Sequence, residues 1–257
     1  MPAPAGTVRP HVGLFLSDFP RAAGDFALYV AAAPLLRRAA PRGDGHPVLV
    51  LPGLMAADSS TRLMRRYLRG LGYHVHGWRL GRNIGPTREA VAGMGARLDG
   101  LLERHGRKVS VIGWSLGGIY AREMARLRPD DVRQVITLGS PFNMQEGSES
   151  RAHRTYQRYS HLHVDGGSLR SGGTAVPLAV PATSVYTKLD GIVPWRACLD
   201  VPGPLSENVA VIASHVGLGH NPAVLWVMAD RLAQPEGSWR PFTPPRGARR
   251  LFPRPAA

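Results

Sequence analysis

From residue 47 onward the chain alternates between short, continuous apolar runs and longer stretches whose apolar positions recur every three or four residues. Val48-Leu49-Val50-Leu51 and Val132 to Leu138 are runs of the first kind, the mark of strands buried on both faces. Tyr73 to Trp78 alternates instead and also reads as a strand. Helical spacing fills the intervals. One helix, capped by Asp58, Ser59 or Ser60, runs to about Leu71 and ends at Gly72; a second, capped by Thr87, lines up Val91, Met94, Leu98, Leu101 and Leu102; a third spans Ile119 to Arg128. Alternation of this kind predicts an α/β domain with a mostly parallel central sheet flanked by helices and right-handed crossovers. Ligands are then expected at the carboxyl ends of the strands.

Asn143 to Val180 breaks the rhythm. It is polar, carries Gly166-Gly167 and Gly172-Gly173, and predicts one helix around Ser148 to Tyr159. Strands at Thr183 to Thr187 and Asn208 to Ala213 follow, then a helix from Ala223 to Leu232 behind the Asn221-Pro222 start signal. Residues 1–45 read as an N-terminal extension with a helix at about Ala22 to Arg38 and no legible chemistry, residues 46–234 as the domain, and 235–257 as a Pro/Arg-rich tail. In that tail Trp239 and Phe242 anchor part against the domain, and the last residues are expected to be disordered.

The chemistry centres on Val109 to Gly118, VSVIGWSLGG, where a buried strand runs into Gly113-Trp114-Ser115-Leu116-Gly117 and then a helix. Lifting a serine hydroxyl above a sheet needs a reversal so sharp that the residues two before and two after it nearly touch, which suits glycine at 113 and 117. The helix aims its positive end at Ser115, and the Leu116 N–H is placed to donate to an oxyanion. Strand, Gly-x-Ser-x-Gly and helix in this order resemble the α/β-hydrolase superfamily, its lipase and esterase branch in particular.

That resemblance implies the rest of a site. The loop Pro52-Gly53-Leu54 after an early strand matches the superfamily's second oxyanion donor at Leu54, and Gly139-Ser140-Pro141-Phe142 is similar to a turn of bacterial lipases. The irregular segment 143–180 corresponds to a cap or lid. Serine needs a base, and the base a carboxylate, in the chain order Ser, acid, His. Asp190, in Asp190-Gly191-Ile192-Val193-Pro194, resembles the family's acid loop, with Asp200 and Asp165 as weaker candidates. His215, in His215-Val216-Gly217-Leu218, resembles its histidine loop, with His220 as the competitor. The implied activity is that of a serine carboxylic-ester hydrolase on a small-molecule or lipid ester, needing neither metal nor organic cofactor. An acyltransferase or thioesterase would use the same triad.

Composition narrows the partners. The single cysteine, Cys198, excludes an internal disulfide and favours a reducing compartment. No secretory signal is read at the N-terminus, and Phe26 to Leu36, interrupted by Pro34, is too short to span a bilayer, so a cytoplasmic enzyme with at most weak membrane-surface association is expected. The net charge of +14 raises a basic-surface binding protein as an alternative. Its arginines are scattered, however, with no helix-turn-helix, zinc spacing or aromatic-studded basic motif, so no specific nucleic-acid partner is expected. His74 and His76 lie two apart without an evident third ligand and read as structural or surface histidines, and His153, His161 and His163, whose spacing fits no familiar ligand set, as solvated cap histidines. Oligomeric state is not legible.

Overall fold

The apolar runs pair into one parallel sheet. The computed structural model describes residues 8–164 and 176–255. Its strands are β1 (Pro47–Leu51), β2 (His74–Gly77), β3 (Val109–Trp114), β4 (Val132–Leu138), β5 (Ala182–Tyr186) and β6 (Ser206–Ala210), in the spatial order β2-β1-β3-β4-β5-β6. All five pairings are parallel. The helices are α1 (Val12–Ala39), α2 (Arg62–Gly70), α3 (Arg88–His105), α4 (Leu116–Leu127), α5 (His153–Arg158) and α6 (Pro222–Leu232).

Residue alternation along the central strands sorts the core into two layers. Val48 and Val50 of β1 meet Met64 and Leu68 of α2 and Val224 and Met228 of α6, whereas Leu49 and Leu51 meet Leu98 of α3 and Tyr120 of α4. Because the chain steps from β1 outward to β2 and then back past β1 to β3, the sheet has its switch point between the carboxyl ends of β1 and β3. A crevice is built there by topology alone.

Four elements depart from the expected bounds by more than one residue, each for a local reason. α1 starts at Val12 rather than Ala22 and passes through Pro20; both Pro20 and Leu16, whose carbonyl would otherwise receive the missing N–H, are exposed residues, so the lost bond falls on the solvent side. α4 starts at Leu116, with no spacer after Ser115. β6 ends at Ala210, because the chain then leaves the sheet toward the 214–221 loop. The helix expected over Ser148 to Tyr159 contracts to α5, since Ser150 and Arg151 both bond the carbonyl of Ile192. In the tail, the Phe242 and Phe252 rings meet at 5.0 Å and pack on the core. The disorder expected at the extreme end falls partly on 256–257, and Gly166-Gly167, Gly172-Gly173 and Asp165 all lie outside the described residues. Among the described residues no helix is long and apolar enough to cross a membrane.

Candidate active site

β3 delivers Ser115 to the switch point in a strained conformation, φ 52° and ψ −120°, that few non-glycine residues adopt. The elbow is so tight that a Cβ on Gly113 would overlap the carbonyl of Gly117, and one on Gly117 the carbonyl of Leu51. Ser115 heads α4, where the Gly118 N–H turns back to the Ser115 carbonyl at 3.0 Å. Across from it, Gly53 approaches so closely that a Cβ there would lie 3.2 Å from Cβ of Ser115. The next residue, Leu54, has an N–H without an acceptor among the described residues. Leu54, Ser115 and Leu116, with Ile119, Tyr120 and Pro141, line a cavity of about 330 Å³. Ser148, Glu149, Ser150, Ala152, His153 and Tyr156, from the irregular segment, close its other side.

Asn83 holds this loop, a role the sequence reading did not see. Fully buried, it donates from Nδ2 to the Pro52 carbonyl at 2.8 Å, accepts at Oδ1 from the Tyr120 hydroxyl at 3.2 Å, and takes the Met55 N–H on its own carbonyl at 2.6 Å.

Beyond β5, Asp190 is buried. Its Oδ1 accepts the Ile192 and Val193 N–H groups at 2.8 and 2.7 Å, and its Oδ2 lies 2.7 Å from Nδ1 of His215. Gly139 makes room for the pair: a Cβ there would sit 3.1 Å from Nδ1 and 3.3 Å from Oδ2. The Trp114 indole N–H donates to the His215 carbonyl at 3.3 Å, which ties the histidine loop to the residue preceding Ser115. Burial works against a charged imidazole here, but the Asp190 carboxylate, with Asp18 assisting, outweighs it and holds the His215 pKa above its ordinary 6.5.

The histidine and acid loops are fastened from α1, against the expectation that the N-terminal extension carries no chemistry. Asp18, fully buried, accepts the N–H of Gly191 at 3.1 Å and of His215 at 3.0 Å on Oδ2, and that of Val216 at 2.9 Å on Oδ1. Asp25 accepts the Ser214 N–H and hydroxyl at 3.0 and 2.8 Å and the Asn221 side-chain amide at 2.7 Å. The available signal was two aspartates seven positions apart, hence on one face, as the only carboxylates of a mostly apolar helix, where burial demands partners.

The remaining candidates have other attachments. Nε2 of His220 lies 2.9 Å from the Ala22 carbonyl of α1, and its ring meets Phe26 edge-on. Asp200 is buried in an ion pair with Arg122 of α4, Oδ1 to Nη2 3.0 Å. His105 joins His76, Nε2 to Nε2 3.1 Å, as the third ring that the sequence did not reveal beside His74. Burial and Arg97 press the His76 pKa down to about 4. Among the described residues no group of His, Cys, Asp and Glu is arranged to hold a metal ion.

No family model matches the chain, and no curated protein matches it. Solved structures do. Lipase B of Aspergillus fumigatus, 16% identical, superposes over 79% of this chain with a TM-score of 0.57, the chain spanning 57% of that lipase's length. A structure from the metagenome-derived lipolytic enzymes LipS and LipT matches 75% of this chain and 93% of its own at 14% identity and TM-score 0.53. The pyrethroid hydrolase PytH matches 72% and 96% at 16% identity and TM-score 0.50. At such identities the likeness is one of fold, and with the strand order it gives this chain the α/β-hydrolase fold.

Proposed function

We propose that this chain, built on the α/β-hydrolase fold, is a serine carboxylic-ester hydrolase. The observation that carries the reading is the buried 2.7 Å bond between His215 and Asp190, tied through Trp114 to the strained Ser115. In this mechanism Oγ of Ser115 attacks the ester carbonyl carbon as Nε2 of His215 takes its proton, and Asp190 stabilises the imidazolium that results. The N–H groups of Leu54 and Leu116 receive the oxyanion. Collapse of the tetrahedral adduct breaks the carbon–oxygen bond to the alcohol, which leaves with the proton from His215. Water, deprotonated by His215, then attacks the acyl-enzyme, and the acid departs as Ser115 regains its proton.

The cavity's volume is at the low end of the roughly 300–1,000 Å³ found for ligand pockets, and Leu54, Ile119 and Pro141 make it largely apolar. The apolar lining suits an acyl chain, and the small volume favours a short or medium one. Hydrolysis of p-nitrophenyl esters from acetyl to palmitoyl, run with fluorophosphonate labelling, tests the reading. The expected optimum lies in the short half of the series, and Ser115→Ala is expected to lose labelling and about 10⁴-fold or more of the turnover. A folded native chain that neither labels nor turns over, or a Ser115→Ala variant as active as the native chain, overturns it.

A further inference from the structure

α1 is amphipathic the wrong way round. Its only carboxylates, Asp18 and Asp25, are buried, while Leu16, Phe19 and Val30 stand 71%, 68% and 56% exposed, with Val12 and Phe26 exposed beside them. Counted from Val12, these five residues occupy positions i, i+4, i+7, i+14 and i+18, which sets them in one line along a 28-residue helix. At 1.5 Å per residue that helix is about 42 Å long. Seven residues beyond Val30 the same line reaches Arg37, and Arg38 follows it in the last turn. Apolar side chains exposed singly need no explanation, but a continuous apolar line on a soluble surface marks a docking face.

We propose that this outer face of α1 docks the protein on a bilayer bearing anionic lipids. The apolar line enters the boundary between headgroups and acyl chains, and Arg37 and Arg38 meet the headgroup charge. Charge selects this occupant. Both carboxylates of α1 point inward, so the charged side chains it exposes are arginines, and the chain's net charge of +14 acts in the same direction. A second copy of the chain fits the face less well. Pairing two such lines would bring Arg37 and Arg38 against a helix with no exposed carboxylate to receive them.

The inner face of the same helix fixes the orientation of whatever docks. Asp18 and Asp25 bond the loops around Gly191 and His215, and the Phe15 ring lies 5.4 Å from the guanidinium of Arg151, in the segment that closes the cavity. A docked α1 therefore holds that rim next to the lipid. The docking itself does not depend on the hydrolytic reading.

Co-sedimentation of the full chain with phosphatidylcholine vesicles, with and without phosphatidylglycerol, tests the proposal. Binding is expected to the anionic vesicles and to weaken as salt is raised. Leu16→Ser with Phe19→Ser, and separately Arg37→Glu with Arg38→Glu, are each expected to reduce the partition coefficient by about ten-fold or more. All four side chains are exposed, so near-ultraviolet circular dichroism of both variants should match the native chain. Absence of native binding to the anionic vesicles, or native-level binding by the Leu16/Phe19 variant, overturns the proposal. So does light scattering that finds a dimer which that variant dissolves, since the occupant is then a second copy. Turnover of a water-soluble short ester, expected to be unchanged in the Leu16/Phe19 variant, is measured alongside. Vesicle binding without turnover removes the hydrolase reading and leaves the docking; turnover without vesicle binding does the reverse.

Discussion

Asp18 brings three backbone N–H groups from two loops onto one carboxylate, with Arg21 of its own helix at 3.3 Å. An amide in its place has a single acceptor oxygen and turns an NH₂ toward N–H donors, so Asp18→Asn is expected to cost about 2–3 kcal/mol of stability. Loss of stability alone would not separate positioning from packing. Its effect on His215 does. The charged groups facing that imidazole are Asp190 from the acid loop and Asp18 from α1, and both hold its pKa up against burial. With the Asp18 charge removed, burial gains ground and the pKa falls. Because the base must be neutral to act, the acid limb of kcat/KM is expected to move to lower pH in Asp18→Asn. A folded variant whose limb stays in place would make Asp18 a packing residue only.

The β3–turn–α4 element shows how much of the site one segment can specify. Overlap of a Gly113 Cβ with the Gly117 carbonyl is backbone against an added atom, and neither side has a rotamer to change. Gly113→Ala is therefore expected to lose about 3 kcal/mol or more, read as a fall in denaturation midpoint. Gly95, inside α3, has nothing within 4 Å of its Cβ position, so Gly95→Ala should instead add about 0.5–1 kcal/mol. The two alanines have the same chemistry and opposite signs because only one glycine is needed by the turn. Elements of this kind were legible in the sequence, since strands buried on both faces print continuous apolar runs and an elbow prints its glycines. α1 was not. Its beginning hid behind Pro20, which usually stops a helix, and Asp18 and Asp25 have partners more than 170 residues away that no local pattern records. Asn83 was hidden in the same way, a loop residue whose bonds run to Pro52 and Tyr120.

Over the whole molecule, two buried histidines at opposite ends of the sheet set opposite dependences on pH. His46 lies where β1, β3 and β4 begin, with Nε2 2.8 Å from the Ser110 hydroxyl and Nδ1 against Asp44, which Arg107 and Arg133 also engage. Burial, with Arg133 adding to it, takes its pKa down to about 4 despite Asp44. The unfolded chain binds that proton near 6.5, so between about pH 6.5 and 4 the unfolded state holds more protons and stability falls as the solution is acidified. At roughly 1.4 kcal/mol per pH unit the loss by pH 4 is about 3 kcal/mol. His215 works the other way: its raised pKa contributes stability that is present below 6.5 and is lost as pH rises through the folded value. Urea midpoints at pH 7, 5.5 and 4.5 are therefore expected to decline for the native chain. In His46→Gln, which loses the titrating group while keeping a polar side chain, they should start lower and decline less. A native chain whose midpoint holds level to pH 4.5 would show that His46 takes up its proton without resistance, and that the polar cluster under the sheet is open to water.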